Sequence, residues 1–252
     1  MATAAALIAG LLAALFFLPH PWLSAPVALV AALAGFEWAR ICRLGVPAAW
    51  AYALLVAVAF GALLIAPERT VFVAAGAFWA LVVPAWLWHG IRATHRKALL
   101  AAGFAVILPP ALAMLAMRPR DLLAVLVLVW IADIAAYFSG SALGRHKLAP
   151  SSSPGKTWEG AAGGLLGALV YAIICGTMTE GFSWAPYLAA AALVTLLGIV
   201  GDLYESAAKR QAGVKDSGTL LPGHGGILDR IDSVAAALPL AALLLPLVRG
   251  AP

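Results

Sequence analysis

The residues of this chain that could do chemistry are concentrated between Asp202 and Asp232. There Asp202, Glu205, Ser206, Lys209, Arg210, Lys215, Asp216, His224, Asp229, Arg230 and Asp232 sit between two strongly apolar runs. Asp202, Glu205 and Lys209 follow i, i+3, i+7 spacing, so a helix would carry them on one face with Ser206 beside them. Asp229 and Asp232, three apart, would share one side of the first turn of a following helix. Several carboxylates gathered without cysteine or paired histidine suit a hard, oxygen-preferring cation, magnesium rather than zinc. Magnesium in turn implies phosphates, because it usually keeps substrate oxygens in its shell; a second cation beside it stays open. Lys209, Arg210, Lys215 and Arg230 offer complementary charge for a polyphosphate or a lipid phosphate. Between them Pro222, Gly223, His224, Gly225 and Gly226 form a turn whose amides could approach a ligand closely. A loop whose acids and bases merely neutralise one another would explain the charge balance. It would not explain so many unlike functional types beside one glycine-rich turn. The chain has neither a G-x-S-x-G nucleophile elbow nor an H-E-x-x-H zinc motif.

Two further segments carry polar groups. Asp133 lies near the middle of an apolar run, followed by Tyr137, Phe138, Ser139, Gly140 and Ser141. A mid-span carboxylate costs about 2.5–3.5 kcal/mol on insertion scales, so it faces either a polar cavity or a paired cation. The other segment runs from Gly144 through Arg145, His146, Lys147 and Ser151–Ser153 to Pro154, Gly155, Lys156, Thr157, Trp158, Glu159 and Gly160. Gly155, Lys156 and Thr157 suggest a P-loop, but Pro150 stands where that motif needs glycine. What remains is a loop of hydroxyls, amides and Lys156 leading into a helix, able to receive phosphate at its N-terminus. A basic loop solvated among headgroups accounts for its composition equally well.

The elements that must position these groups lie in the membrane. The 252 residues are 64% hydrophobic and only 11% charged, with a mean hydropathy of +0.99. That is far from the globular average of about 25% charged. The chain therefore reads as one all-α membrane domain spanning 1–252. Residues 1–120 would be scaffold helices, and residues 121–252 would carry the catalytic helices and cytoplasmic loops. Apolar runs fall at Ala2–Leu18, Trp22–Phe36, Val46–Ala66, Thr70–Trp88, Ala98–Met117, Leu122–Gly144, Gly160–Met178, Trp184–Leu203 and Ser233–Val248. These give about nine spans. The first lacks the basic leader of a signal peptide and is read as a helix; the first two form either a tight hairpin or a kinked pair of half-helices.

Loop charge orients the bundle. With the N-terminus cytoplasmic, that side holds Arg40, Arg43, Arg92, Arg96, Lys97, Arg145, Lys147, Lys156, Lys209, Arg210, Lys215 and Arg230. The other side holds only Arg69, Arg118, Arg120 and Arg249. Cytoplasmic loops carry the excess of Lys and Arg, so Asp202–Asp232 faces the cytoplasm. The net charge of +5 is too small and scattered for nucleic acid and suits anionic headgroups. Most tryptophans read as interfacial belts. Gly160, Gly163, Gly164 and Gly167 mark a close helix contact, within the chain or in a homodimer. Cys42 and Cys175 form neither a disulfide framework nor a metal site and read as inert.

The run Ser206, Lys209, Arg210, Lys215, Asp216, Gly218, Leu221, Pro222, His224, Gly225, Gly226, Asp229, Arg230 and Asp232 resembles the signature of the phosphatidate cytidylyltransferases of bacterial membranes. Ser153 to Gly160 is similar to a second motif of the same family, with Gly155 where some members have lysine. The resemblance implies transfer of CMP from CTP to phosphatidate, with magnesium, giving CDP-diacylglycerol and pyrophosphate at the inner membrane. Asp202 and Asp229 are then expected as the metal carboxylates, followed by Asp232, Asp216 and Asp133. Lys209, Arg210, Lys156 and Arg230 are expected on phosphates. Thr157, Ser206, Lys215, His224, Gly225 and Gly226 would line the pocket, and Ser217 would matter little. Two rivals are a CTP-dependent lipid kinase and a cation-coupled transporter using Asp133.

Overall fold

The computed structural model describes residues 9–10, 13, 16–179, 182–220 and 225–248. In chain order, α1 is His20–Ile41, α2 Val46–Leu63, α3 Glu68–Ala77 and α4 Val83–His89, the last two joined by a π-helical turn Phe78–Val82. They are followed by α5 Arg96–Ala116, α6 Pro119–Leu143, a hairpin of β1 Lys147–Ala149 and β2 Ser153–Thr157, α7 Trp158–Thr177, α8 Trp184–Ala212 and α9 Leu228–Val248. Among the described residues, eight helices are long and apolar enough to cross a membrane, with Glu68–His89 acting as one. The chain is a multi-pass, all-α membrane protein. Those eight match the last eight expected spans; the first expected span falls largely outside the described residues.

The segment before α7 departs from expectation. It is an antiparallel hairpin, with Lys147 opposite Thr157 and Ala149 opposite Ser153.

Alternation of the spans brings the ends that matter to one side. The α1–α2 turn, the start of α5, the hairpin, the C-terminal end of α8 and the N-terminal end of α9 all lie there. Pro26 in α1 and Pro239 and Pro246 in α9 lie inside helices that carry the site, and both helices run on through them. Pro119 opens α6 in its first turn, while Pro109 and Pro110 sit inside buried α5, where neighbouring helices shield the freed carbonyls.

Glycines set the closest crossings. A Cβ on Gly164 would lie 2.9 Å from the Ala132 carbonyl, and one on Gly167 2.7 Å from Ala135 Cβ. The expected glycine stripe is therefore buried within the chain, between α6 and α7. On α8, a Cβ at Gly201 would lie 2.6 Å from the Asp232 carbonyl. The α8–α9 crossing thus places Asp202 beside the first turns of α9.

The tryptophans divide. Trp22, Trp50, Trp88, Trp158 and Trp184 are exposed, as a belt requires, but Trp38 and Trp79 are fully buried. With Trp86 they surround Tyr204, whose ring centroid is 5.9, 5.7 and 5.8 Å from Trp38, Trp79 and Trp86. This aromatic core lies directly behind the α8 face that carries Asp202 and Glu205. Burial pushes the Cys42 thiol up to about 12, so it is protonated at neutral pH.

Candidate active site

The long helix α8 supplies the first polar row. Asp202, Glu205 and Lys209 share a face as their spacing requires, and the row is stitched by i, i+4 bonds. Ser206 Oγ donates to Asp202 Oδ1 at 3.3 Å, and Lys209 Nζ to Glu205 Oε1 at 3.1 Å. The helix ends where Gly213 adopts φ 78° and the Val214 amide donates back to the Lys209 carbonyl at 3.1 Å. Left-handed backbone at this point favours glycine. Lys215 and Asp216 follow on the exposed turn, with Asp216 beside Gly225.

The second row comes from the start of α9. Asp229 Oδ1 accepts from Lys209 Nζ at 2.7 Å. Its Oδ2 accepts from the Ser217 amide at 2.9 Å, the Ser217 hydroxyl at 3.0 Å and the Gly226 amide at 2.8 Å. A carboxylate has about four acceptor positions, so Asp229 is almost fully committed. Gly225 is held at φ 79° with any Cβ 2.6 Å from Asp229 Oδ2; only glycine fits. Asp229, expected as a metal carboxylate, is held in place by four hydrogen bonds. It clamps the glycine-rich turn onto α8. Lys209 is likewise held between Glu205 and Asp229 with its side chain only 10% exposed. Its charge is answered by these two carboxylates.

The third contributor was invisible to motif reasoning. Glu37 of α1 is 1% exposed. Its Oε1 accepts from the Ile227 amide at 2.9 Å, and its Oε2 from the Leu228 amide and the Ser217 hydroxyl, each at 2.9 Å. It satisfies the orphan amides at the start of α9, where a negative charge also meets the positive end of the helix dipole. Gly218 and Gly226 leave room for its carboxylate, since a Cβ at either would lie 2.7 or 2.5 Å from a Glu37 oxygen. Ser217, expected to matter little, is buried and bridges Glu37 and Asp229. A charge inside an apolar run signals function by default. The apolar run Trp22–Phe36 stops one residue short of Glu37, whereas α1 continues to Ile41.

The open part of the site lies beside these clamps. Lys156 of β2 forms an ion pair with Asp202 Oδ2. Ser233 links two further carboxylates, its hydroxyl donating to Asp133 Oδ1 at 3.4 Å and its amide to Asp232 Oδ1 at 2.8 Å. Thus α6, α8 and α9 each bring one carboxylate to this end of the bundle, Asp232 at the crossing beside Gly201 and Asp202. Arg210 Nε donates to the Ser152 carbonyl at 3.3 Å, tying the hairpin to α8, and Arg230 is exposed on α9. Thr157 is not open to a ligand: its hydroxyl is buried and caps α7 by accepting the Gly160 amide at 3.1 Å. Glu159 pairs with His146 Nδ1 at 2.6 Å, which closes the hairpin base. His224 lies outside the described residues.

Hard oxygen donors are what a magnesium site requires, and Asp202 and Asp232, with Asp133 behind them, fit that chemistry. Among the described residues no three His, Cys, Asp or Glu side chains form a finished metal cage. Lys156 stands among the carboxylates as their internal counter-charge.

A multi-helix membrane bundle that gathers carboxylates, cations and a glycine-rich turn at one end defines a membrane-embedded site for phosphate chemistry. The sequence matches the cytidylyltransferase family over residues 1–248, and the chain belongs to that family. A relative from Pseudomonas aeruginosa named phosphatidate cytidylyltransferase is 41% identical over 258 residues, 96% of this chain and 94% of the relative. A relative of the same name from Haemophilus influenzae is 50% identical over 123 residues, 47% of this chain and 43% of its own. One from Thermotoga maritima is 40% identical over 134 residues, 51% of this chain and 50% of its own.

Proposed function

We propose that this protein transfers the cytidylyl group of CTP to phosphatidate, giving CDP-diacylglycerol and pyrophosphate. The observation that carries this reading is the ion pair of Lys156 with Asp202 beside the first turns of α9, at one end of a bundle belonging to the cytidylyltransferase family. The basic residues of the connecting segments cluster at that same end, which supports a cytoplasmic site in the inner membrane.

In the proposed reaction, an oxygen of the phosphatidate phosphate attacks the α-phosphorus of CTP. The bond to the bridging oxygen breaks, and pyrophosphate leaves with that electron pair. Phosphatidate is already ionised near neutral pH, so no general base is needed. Catalysis then rests on positioning and on neutralising charge.

Lys156, Arg210, Lys215 and Arg230 are the cations that would hold the phosphates. Lys209, Asp229, Ser217 and Glu37 hold Gly225, Gly226 and the start of α9 in place beside that site. Asp202 and Asp232, supported by Asp133, would hold magnesium, which when bound neutralises phosphate charge.

The test is the product pair. Purified protein with CTP, phosphatidate and magnesium is expected to release pyrophosphate and form a CDP-lipid. Release of CDP with a newly phosphorylated lipid alcohol would identify a kinase instead, and formation of neither product removes the reading.

A further inference from the structure

Far from the site, α6, α7, α8 and α9 part to form a cavity of about 1160 Å³ at the opposite end of the bundle. It exceeds the roughly 300–1,000 Å³ typical of small-molecule pockets. Its walls are largely apolar, with Val125, Leu128, Val194 and Leu244 among them. Arg118 and Arg120, at the start of α6, stand at its mouth, and both are exposed. Neither forms an ion pair with a described residue, and Asp121 is the one acid among the described residues lining the cavity.

An apolar void of this size facing hydrocarbon takes up hydrocarbon, since apolar cavities stay dry. Two guanidinium groups at the rim add what an alkyl chain lacks. They match a phosphate ester, which arginine binds by paired, charge-assisted hydrogen bonds.

We infer that this cavity is a binding site for an anionic phospholipid of the leaflet opposite the active site, its phosphate on Arg118 and Arg120 and its acyl chains between the four helices. The four helices are also those that carry the site. Asp133 is on α6, Lys156 leads into α7, Asp202 is on α8, and Asp229 and Asp232 are on α9.

The measurement is lipid retention by native mass spectrometry of the full chain, offered phosphatidylglycerol and phosphatidylcholine at equal concentration. The wild type is expected to keep one phosphatidylglycerol in at least tenfold preference. Arg118→Gln with Arg120→Gln abolishes the preference, while Arg118→Lys with Arg120→Lys keeps most of it. Ala124→Phe, which fills the cavity, lowers retention of both lipids. Phosphatidylglycerol also raises the melting temperature of the wild type but not of the Gln double variant, as ligand linkage requires. Both arginine variants should melt like the wild type in lipid-free detergent. Equal retention of the two lipids, a preference unchanged in the Gln variant, or a two-chain species carrying no lipid overturns the inference.

Discussion

Glu37 and Leu228 are 191 positions apart in the chain, yet the Leu228 amide donates to Glu37 Oε2 at 2.9 Å. Through this bond and its two companions, a helix from the start of the chain holds the start of the last one. Glu37→Ala leaves two amides and a hydroxyl without their acceptor, at about 1–3 kcal/mol for each buried group. Turnover in CDP-lipid formation is expected to fall by tenfold or more while membrane insertion is retained. Glu37→Gln, with one acceptor oxygen, should fall between Glu37→Ala and wild type. Unaltered turnover in both variants would release Glu37 from the site.

Asp229 and Lys209 form the second clamp. Lys209→Met leaves Glu205 and Asp229 without their shared cation, and breaking a buried pair in this way costs about 3–5 kcal/mol. Thermal melting in detergent should show the loss directly. Asp229→Asn should lower turnover by orders of magnitude. Ser217→Ala, which removes a hydroxyl whose one hydrogen is shared between two carboxylates, should cost about ten- to a hundredfold, since a hydrogen bond to a charged group is worth about 1.5–3 kcal/mol. A wild-type rate for Ser217→Ala would mean that the turn keeps its shape without that hydroxyl.

The open carboxylates behave differently. Asp202→Asn and Asp232→Asn are expected to reduce turnover by a factor on the order of 100 or more with little change in melting temperature, as for the loss of a group acting on transition-state charge. Chelation of divalent cations should abolish wild-type turnover and magnesium should restore it. Activity that survives exhaustive chelation would leave the carboxylates without a cation to hold.

Helix spacing gives a structural test. Gly201→Leu would drive a side chain into the Asp232 backbone and force α8 from α9. It should lower both melting temperature and turnover, whereas Gly61→Leu, in open space on α2, should change neither. Equal effects at the two positions would contradict the close crossing.

Cys42 offers a pH test. Because its thiol is raised to about 12 from 9.0, the reactive thiolate is scarce until the pH approaches 12. In a Cys175→Ala background, the folded protein should resist maleimide at pH 8 and label fully once unfolded. Rapid labelling of the folded protein at pH 8 would show that the thiol is accessible and ionised.

Local signals were legible where one element made them alone. The Asp202–Glu205–Lys209 face follows from helical spacing, and the eight described spans follow from apolar length. What sequence could not show was how the charges would be shared. Lys209 and Asp229 look like ligands for phosphate and metal when each is taken singly, and they satisfy each other once α8 and α9 cross at Gly201. Thr157 looks like a phosphate contact until its hydroxyl is needed to cap α7. Glu37 escaped notice because one helical turn decided whether it lay inside or outside a span. Trp38 and Trp79 resembled belt residues because burial among other aromatics leaves no periodic mark in so apolar a chain.

The small residues where α6 meets α7 have a consequence for movement. With Gly160, Gly163, Gly164 and Gly167 leaving almost no gap to α6, these two helices travel as a single plank. The hairpin that carries Lys156 is strung between the ends of that plank, so both its anchors move together. Lys156 is delivered to Asp202 as a short strap on a rigid beam, and little chain entropy is lost in bringing it there.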